Sequence, residues 1–188
     1  MMPSRNVIVL ASCGGGNFEA LVKKSKELNY NVSKLIVNCE CTAIEKAINF
    51  GITCAKIYKK GQDLFEGIDR EIPEDTGVIV LAGFLPIIPA WFCEKWNGRL
   101  INIHPSLLPA YGGKGMYGVH VQEAVMEARE EYAGCTVHYV NAGIDTGDII
   151  EQRKIKVDYS LTPWELGGLV YEEGTKLLPV VVSKLLNR

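Results

Sequence analysis

The chain has 188 residues, 47% hydrophobic and 22% charged, with a net charge of −2. This length supports one domain with a buried core, spanning residues 1–188. The charge balance offers no basic excess to neutralise a nucleic-acid backbone, and no apolar run approaches the roughly 20 residues that cross a bilayer.

No nucleic-acid and no membrane partner is therefore expected, and the expected location is the cytoplasm. The N-terminus, Met1-Met2-Pro3-Ser4-Arg5, runs directly into an apolar strand pattern without the longer stretch and cleavage site of a signal peptide. Six cysteines, Cys13, Cys39, Cys41, Cys54, Cys93 and Cys135, are scattered among apolar neighbours. Cys39 and Cys41 are too closely spaced for a usual zinc pair, so free thiols and no metal are expected.

In chain order, residues 7–11 read as a first strand, followed by the turn Cys13-Gly14-Gly15-Gly16 and a helical pattern over 17–28. A second strand is expected at 35–37, and a helix at 42–50 stopped by Gly51. A third strand at 53–57, a helix at 63–72 and a central apolar strand at 78–82 follow. A helix over 89–96 carries Pro in its first turn, and a strand covers 100–103. A Pro/Gly-rich loop spans 107–118, then a helix 119–130. Strands at 136–140 and 149–157 have no helix between them and read as an antiparallel edge hairpin. Thr162 caps a final helix to residue 186, with Pro163 at its first position. Apolar strands separated by helices define an α/β fold with a mostly parallel twisted sheet and helices on both faces.

Three segments carry chemistry. The Gly-rich turn joins a strand to a helix, and its N–H groups suit a single phosphate, with a plain tight turn as the alternative. Dinucleotide binding is disfavoured, because Glu19 stands where the third glycine of G-x-G-x-x-G belongs. In the second segment, Asn102 and His104 end a buried strand just before Pro105. Residues two apart share a face, so an amide donor and an imidazole would stand together. Acyl transfer uses such a pair to stabilise an oxyanion and move a proton. In the third, Asp145 lies in Gly143-Ile144-Asp145-Thr146-Gly147-Asp148. This reads equally as a plain turn or as a carboxylate that orders a water and favours the charged imidazole. His138, within an apolar strand, reads as structural, and His120 as a residue that lines the site.

The order of residues 12–17, 81–84, 98–109 (GRLINIHPSLLP) and 145–150 resembles the formyltransferase family across nearly the whole chain. The resemblance implies a single-domain Rossmann-like formyltransferase fold. It implies an enzyme that moves the formyl group of 10-formyltetrahydrofolate, as co-substrate, onto an amine without a covalent enzyme intermediate. The branch matched best formylates 5'-phosphoribosylglycinamide in purine synthesis. It implies Asn102, His104 and Asp145 as the catalytic set. It places the substrate phosphate at Gly15, Gly16, Asn17 and Phe18, and the folate at Leu85, Pro86, Ile87, Ile88 and Asn102. Members with a further N- or C-terminal domain are less expected for a chain that ends at Arg188.

Departures from the family pattern are Cys13, Gly16, Phe65, Pro86 and Gly174, the last where a glutamate commonly contacts the ribose. A different amine acceptor, such as an amino sugar nucleotide, stays open. So does a non-catalytic nucleotide-binding regulator, although it would have no need of the Asn–His–Asp set. A homodimer is also left open.

Overall fold

The computed structural model describes residues 4–187, and the reading of the first three residues lies outside them. The elements alternate as expected: β1 (Asn6–Ala11), α1 (Gly16–Ser25), β2 (Asn31–Val37), α2 (Ala43–Phe50), β3 (Thr53–Lys56), α3 (Gly61–Glu71) and β4 (Val78–Leu81). They continue as α4 (Ala90–Lys95), β5 (Leu100–His104), α5 (Val119–Glu127), β6 (Tyr132–Tyr139), β7 (Ile149–Lys156) and α6 (Pro163–Leu186).

The seven strands form one sheet in the order β3-β2-β1-β4-β5-β6-β7. Strands β1 to β5 pair in parallel, while β5·β6 and β6·β7 are antiparallel. The edge hairpin expected for the last two strands is therefore present.

Period-two alternation divides each central strand between two cores. Val7, Val9, Val78 and Val80 face α1, α2, α5 and α6, whereas Ile8, Leu10, Ile79 and Leu81 face α3 and α4. Both faces are covered, which explains the continuous apolar runs at β1 and β4. Helix α6 adds most to the first core, burying Leu166, Val170, Leu177, Leu178, Val181 and Val182. Each such side chain contributes about 1.5–3 kcal/mol. Its start has a full capping box: Glu165 N–H donates to Thr162 Oγ1, and Thr162 N–H donates to Glu165 Oε2.

Some boundaries differ from expectation. Strand β2 begins at Asn31, because the polar Asn31 and Lys34 pair with β1 or β3 without adding apolar signal, while Ser33 is skipped where the register shifts. Strand β6 begins at Tyr132, its first turn of pattern interrupted by Gly134. Helix α1 stops at Ser25, before the left-handed Asn29, and α5 stops at Glu127, before the left-handed Arg129. Gly51, with φ of 66°, ends α2 as read.

Candidate active site

The chain reverses its direction of strand addition between β1 and β4, and open α/β sheets bind ligands at the carboxyl end of such a switch. The turns after β1, β4 and β5 all leave from that end.

Strand β5 delivers Asn102 and His104. The His104 ring is buried, with Nε2 2.8 Å from the Tyr111 carbonyl and Nδ1 3.5 Å from Asp145 Oδ2. A carbonyl only accepts, so Nε2 carries a proton and Nδ1 faces the carboxylate. The loop that supplies this carbonyl is pinned at several points. Gln122 donates to Pro105 O, Thr136 Oγ1 donates to Ser106 O and accepts from Leu108 N, and Ser106 donates to Ala110 O. Asp145 itself sits in left-handed backbone (φ 56°), and its Oδ2 accepts from the Gly113 amide at 3.0 Å. The predicted Asn102, His104 and Asp145 are thus brought to one place by β5 and the β6–β7 turn.

His138 belongs to the same cluster, a correction to its reading as structural. It stands directly across β6 from Asn102 in the register. Its Nδ1 donates to the Tyr139 carbonyl at 2.8 Å, so its Nε2 accepts from the Asn102 amide at 3.2 Å. Asp145 Oδ1 lies 3.7 Å from the same nitrogen. Burial pushes the His138 pKa down, against smaller opposing effects of the Tyr139 carbonyl and Asp145, so the ring stays neutral. One proton of the Asn102 amide is thereby fixed on His138, leaving the other for a ligand. His120, read as a site-lining residue, instead pairs with Glu123 (3.0 Å) and meets Tyr117 edge-on at the exposed start of α5.

A cavity of about 330 Å³ opens at the first turn, lined by Cys13, Gly14, Gly15, Gly16, Asn17, Lys46, Ala82, Gly83 and Tyr171. Gly15 has φ of 66° and would press a Cβ to within 2.6 Å of Ala43 Cβ, so only glycine fits there. The turn leads into the N-terminus of α1, whose first N–H groups have no helical partner. Gly15, Gly16 and Asn17 line the cavity; the Phe18 side chain is wholly buried in the core, leaving only its backbone to face a ligand.

Lys46 and Tyr171 reach this cavity from α2 and α6, and no local pattern in the sequence marks them. Glu19 binds both Lys23 and Lys46 at 2.6 Å, and these two cations hold its pKa down to about 2.

Between the two regions, Ser12 ties the turns together. It accepts from Leu85 N at 3.0 Å and donates to Asn38 Oδ1 at 2.6 Å. Of the expected folate segment, Leu85 and Ile87 are exposed, Pro86 is half-buried and Ile88 is buried. Beneath it, Phe65 packs edge-on against Phe84 and Phe92 in the second core. Among the described residues no His/Cys/Asp/Glu group of metal-binding form occurs, and all six cysteines are free.

An amide, an imidazole and a carboxylate are gathered at the carboxyl end of β5, beside the switch point, and groups of these kinds can stabilise an oxyanion and move a proton. Residues 5–182 match the family described as Formyl transferase. The chain belongs to the formyl transferase family. It is 35% identical to the chloroplastic phosphoribosylglycinamide formyltransferase of Arabidopsis thaliana over 96% of its own length, and it spans 65% of that protein. It is 34% identical to the Bacillus subtilis phosphoribosylglycinamide formyltransferase, covering 95% of this chain and 93% of that one. The crystal structure of the phosphoribosylglycinamide formyltransferase from Anaplasma phagocytophilum superposes with a TM-score of 0.88 at 32% identity, over 98% of this chain and 88% of that one.

Proposed function

We propose that this protein transfers the formyl group of 10-formyltetrahydrofolate to the amine of 5'-phosphoribosylglycinamide. The observation that carries the reading is the His104 ring, buried between the Tyr111 carbonyl and Asp145 beside the Asn102 amide. A cavity of about 330 Å³ with a lysine in its lining lies at the neighbouring turn, with room for a phosphate. The names of the relatives support the same acceptor.

In this reading the acceptor's amine attacks the formyl carbon, forming the new C–N bond and a tetrahedral oxyanion. The free N–H of Asn102 donates to that oxygen. The amine then gives up a proton, the bond from carbon to the folate nitrogen breaks, and that nitrogen takes a proton. His104, held by Asp145, relays it. The products are the N-formyl amide and tetrahydrofolate, and no enzyme bond forms. The exposed Leu85 and Ile87 offer an apolar border for the pterin, with Phe65 and Phe84 as support below.

Gly174 favours a second reading. A Cβ there would meet Ile103 at 2.9 Å, and Glu173 is engaged with Lys176. Without a carboxylate at this point, an acceptor other than the glycinamide ribonucleotide is the alternative.

The test is formyl transfer between the two substrates followed by absorbance. Turnover that drops by about a hundredfold or more in His104→Ala is expected. Folate binding without turnover would reject this acceptor.

A further inference from the structure

We propose that Tyr171 determines acceptor specificity: its phenol hydroxyl donates to the phosphate monoester of the acceptor, from space that a side chain at position 16 would otherwise fill. This rests on the cavity at the first turn being the acceptor's phosphate site.

The geometry pairs the two positions. An ideal Cβ at Gly16 would lie 1.4 Å from the Tyr171 hydroxyl oxygen and 2.7 Å from Cζ. With the ring in this position the two side chains exclude one another, so a side chain at 16 would displace the phenol. The phenol oxygen consequently sits at the first residue of α1, beside helix N–H groups that lack intrahelical partners.

Tyr171 Oη makes no hydrogen bond to another described residue, and the side chain is 46% exposed at the cavity wall, open to a ligand. Burial is the largest effect on its pKa and raises it; Glu19 adds to this and Lys46 opposes it. The hydroxyl is therefore a neutral donor at physiological pH. A phosphate monoester dianion presents acceptors only, and the cavity answers with donors: turn N–H groups, the Lys46 ammonium and the phenol. Asn17 lines the same cavity, with its Oδ1 buried and without a partner among the described residues.

Among the described residues that line the cavity, α6 contributes Tyr171 and no acid. One turn beyond Tyr171, Gly174 packs on Ile103, and Glu173 is paired with Lys176 at 2.7 Å. What α6 offers the acceptor is a donor for an anion.

The test uses the full chain and ribose 5-phosphate as probe, by titration calorimetry, with ribose as control. Expected is binding that needs the phosphate and weakens by about tenfold or more in Tyr171→Phe, which keeps the ring. In kinetics, kcat/KM for the acceptor falls far more than kcat, and the KM for folate stays put. Gly16→Ser alone weakens binding by displacing the ring. Gly16→Ser with Tyr171→Ala recovers part of it, because the serine hydroxyl then has room.

Equal affinity of Tyr171→Phe and the parent chain would overturn the proposal even if turnover of phosphoribosylglycinamide is intact. Equal binding of ribose and its phosphate would overturn it together with the phosphate site. Tyr171-dependent phosphate binding without turnover of that acceptor would leave it standing and reject only the identity of the amine.

Discussion

The Asn102 side-chain amide donates to Nε2 of His138, its cross-strand partner, at 3.2 Å. This bond decides which way the amide points. With His138 protonated on Nδ1, its Nε2 can only accept, and the Asn102 oxygen is turned away.

In the proposed reaction, removing that acceptor should loosen the Asn102 amide as an oxyanion donor without removing it. His138→Leu is expected to lower kcat by about tenfold to a hundredfold, short of the full loss of a donor, with both KM values little changed. His138→Gln, whose side-chain oxygen can accept, should retain most of the activity. Steady-state kinetics of the two variants check this; equal losses in both would count against a positioning role.

The same histidine makes stability depend on pH. Burial holds its folded pKa below the ordinary value of about 6.5. The unfolded chain therefore takes up a proton near pH 6.5 that the folded chain resists. The stability is fully present above this value and declines as pH falls toward the folded pKa. The melting temperature of the parent chain should drop more steeply between pH 7.5 and 5.5 than that of His138→Gln. Parallel curves would rule this out.

Much of this architecture is legible in the chain itself. Runs such as VIVLA at β1 and VIVL at β4 are apolar because helices cover both faces, and Asn102, His104 and Asp145 are marked by a strand end and a Gly-rich turn. His138 is not, because its partner is set by β5–β6 register. A titratable residue inside the apolar stretch 135–140 is the one cue. Lys46 and Tyr171 reach the cavity through packing of α2 and α6 beside α1, a relationship with no local periodicity. The start of β2 was hidden for a different reason: Asn31 and Lys34 pair through backbone, not apolar side chains.

Lys46 is shared between Glu19 and the cavity, so the two residues should act in opposite directions. Lys46→Met is expected to raise the acceptor KM by about tenfold, the scale of a lost charged hydrogen bond. Glu19→Gln should lower it severalfold at low salt by freeing the ammonium, with the gain fading as salt screens it. KM measured across a salt series distinguishes the two.

Cys13 is exposed at the cavity wall, yet the neighbouring protein strips part of the water from its sulfur and this, with Cys41 nearby, pushes its pKa up. The reactive thiolate is scarce at neutral pH and grows as pH rises. Iodoacetamide should inactivate slowly at pH 7 and faster at pH 9, with ribose 5-phosphate protecting. Cys13→Ser should resist, as mass spectrometry and residual turnover would show.

The capping box at α6 holds the helix that covers the first core. Thr162→Ala is expected to cost about 1 kcal/mol, or about 2–4 °C in melting temperature for a chain of this size. Scanning calorimetry checks it, with activity at 25 °C as the control.

The most direct measurement is 13C NMR of the reaction, with the label in the formyl group of 10-formyltetrahydrofolate and phosphoribosylglycinamide as acceptor. Expected is label appearing as an N-formyl amide, one for each acceptor consumed, and lost by about a hundredfold or more in His104→Ala. Label released as formate, or transfer undiminished in the variant, would contradict direct transfer at the Asn102–His104–Asp145 cluster.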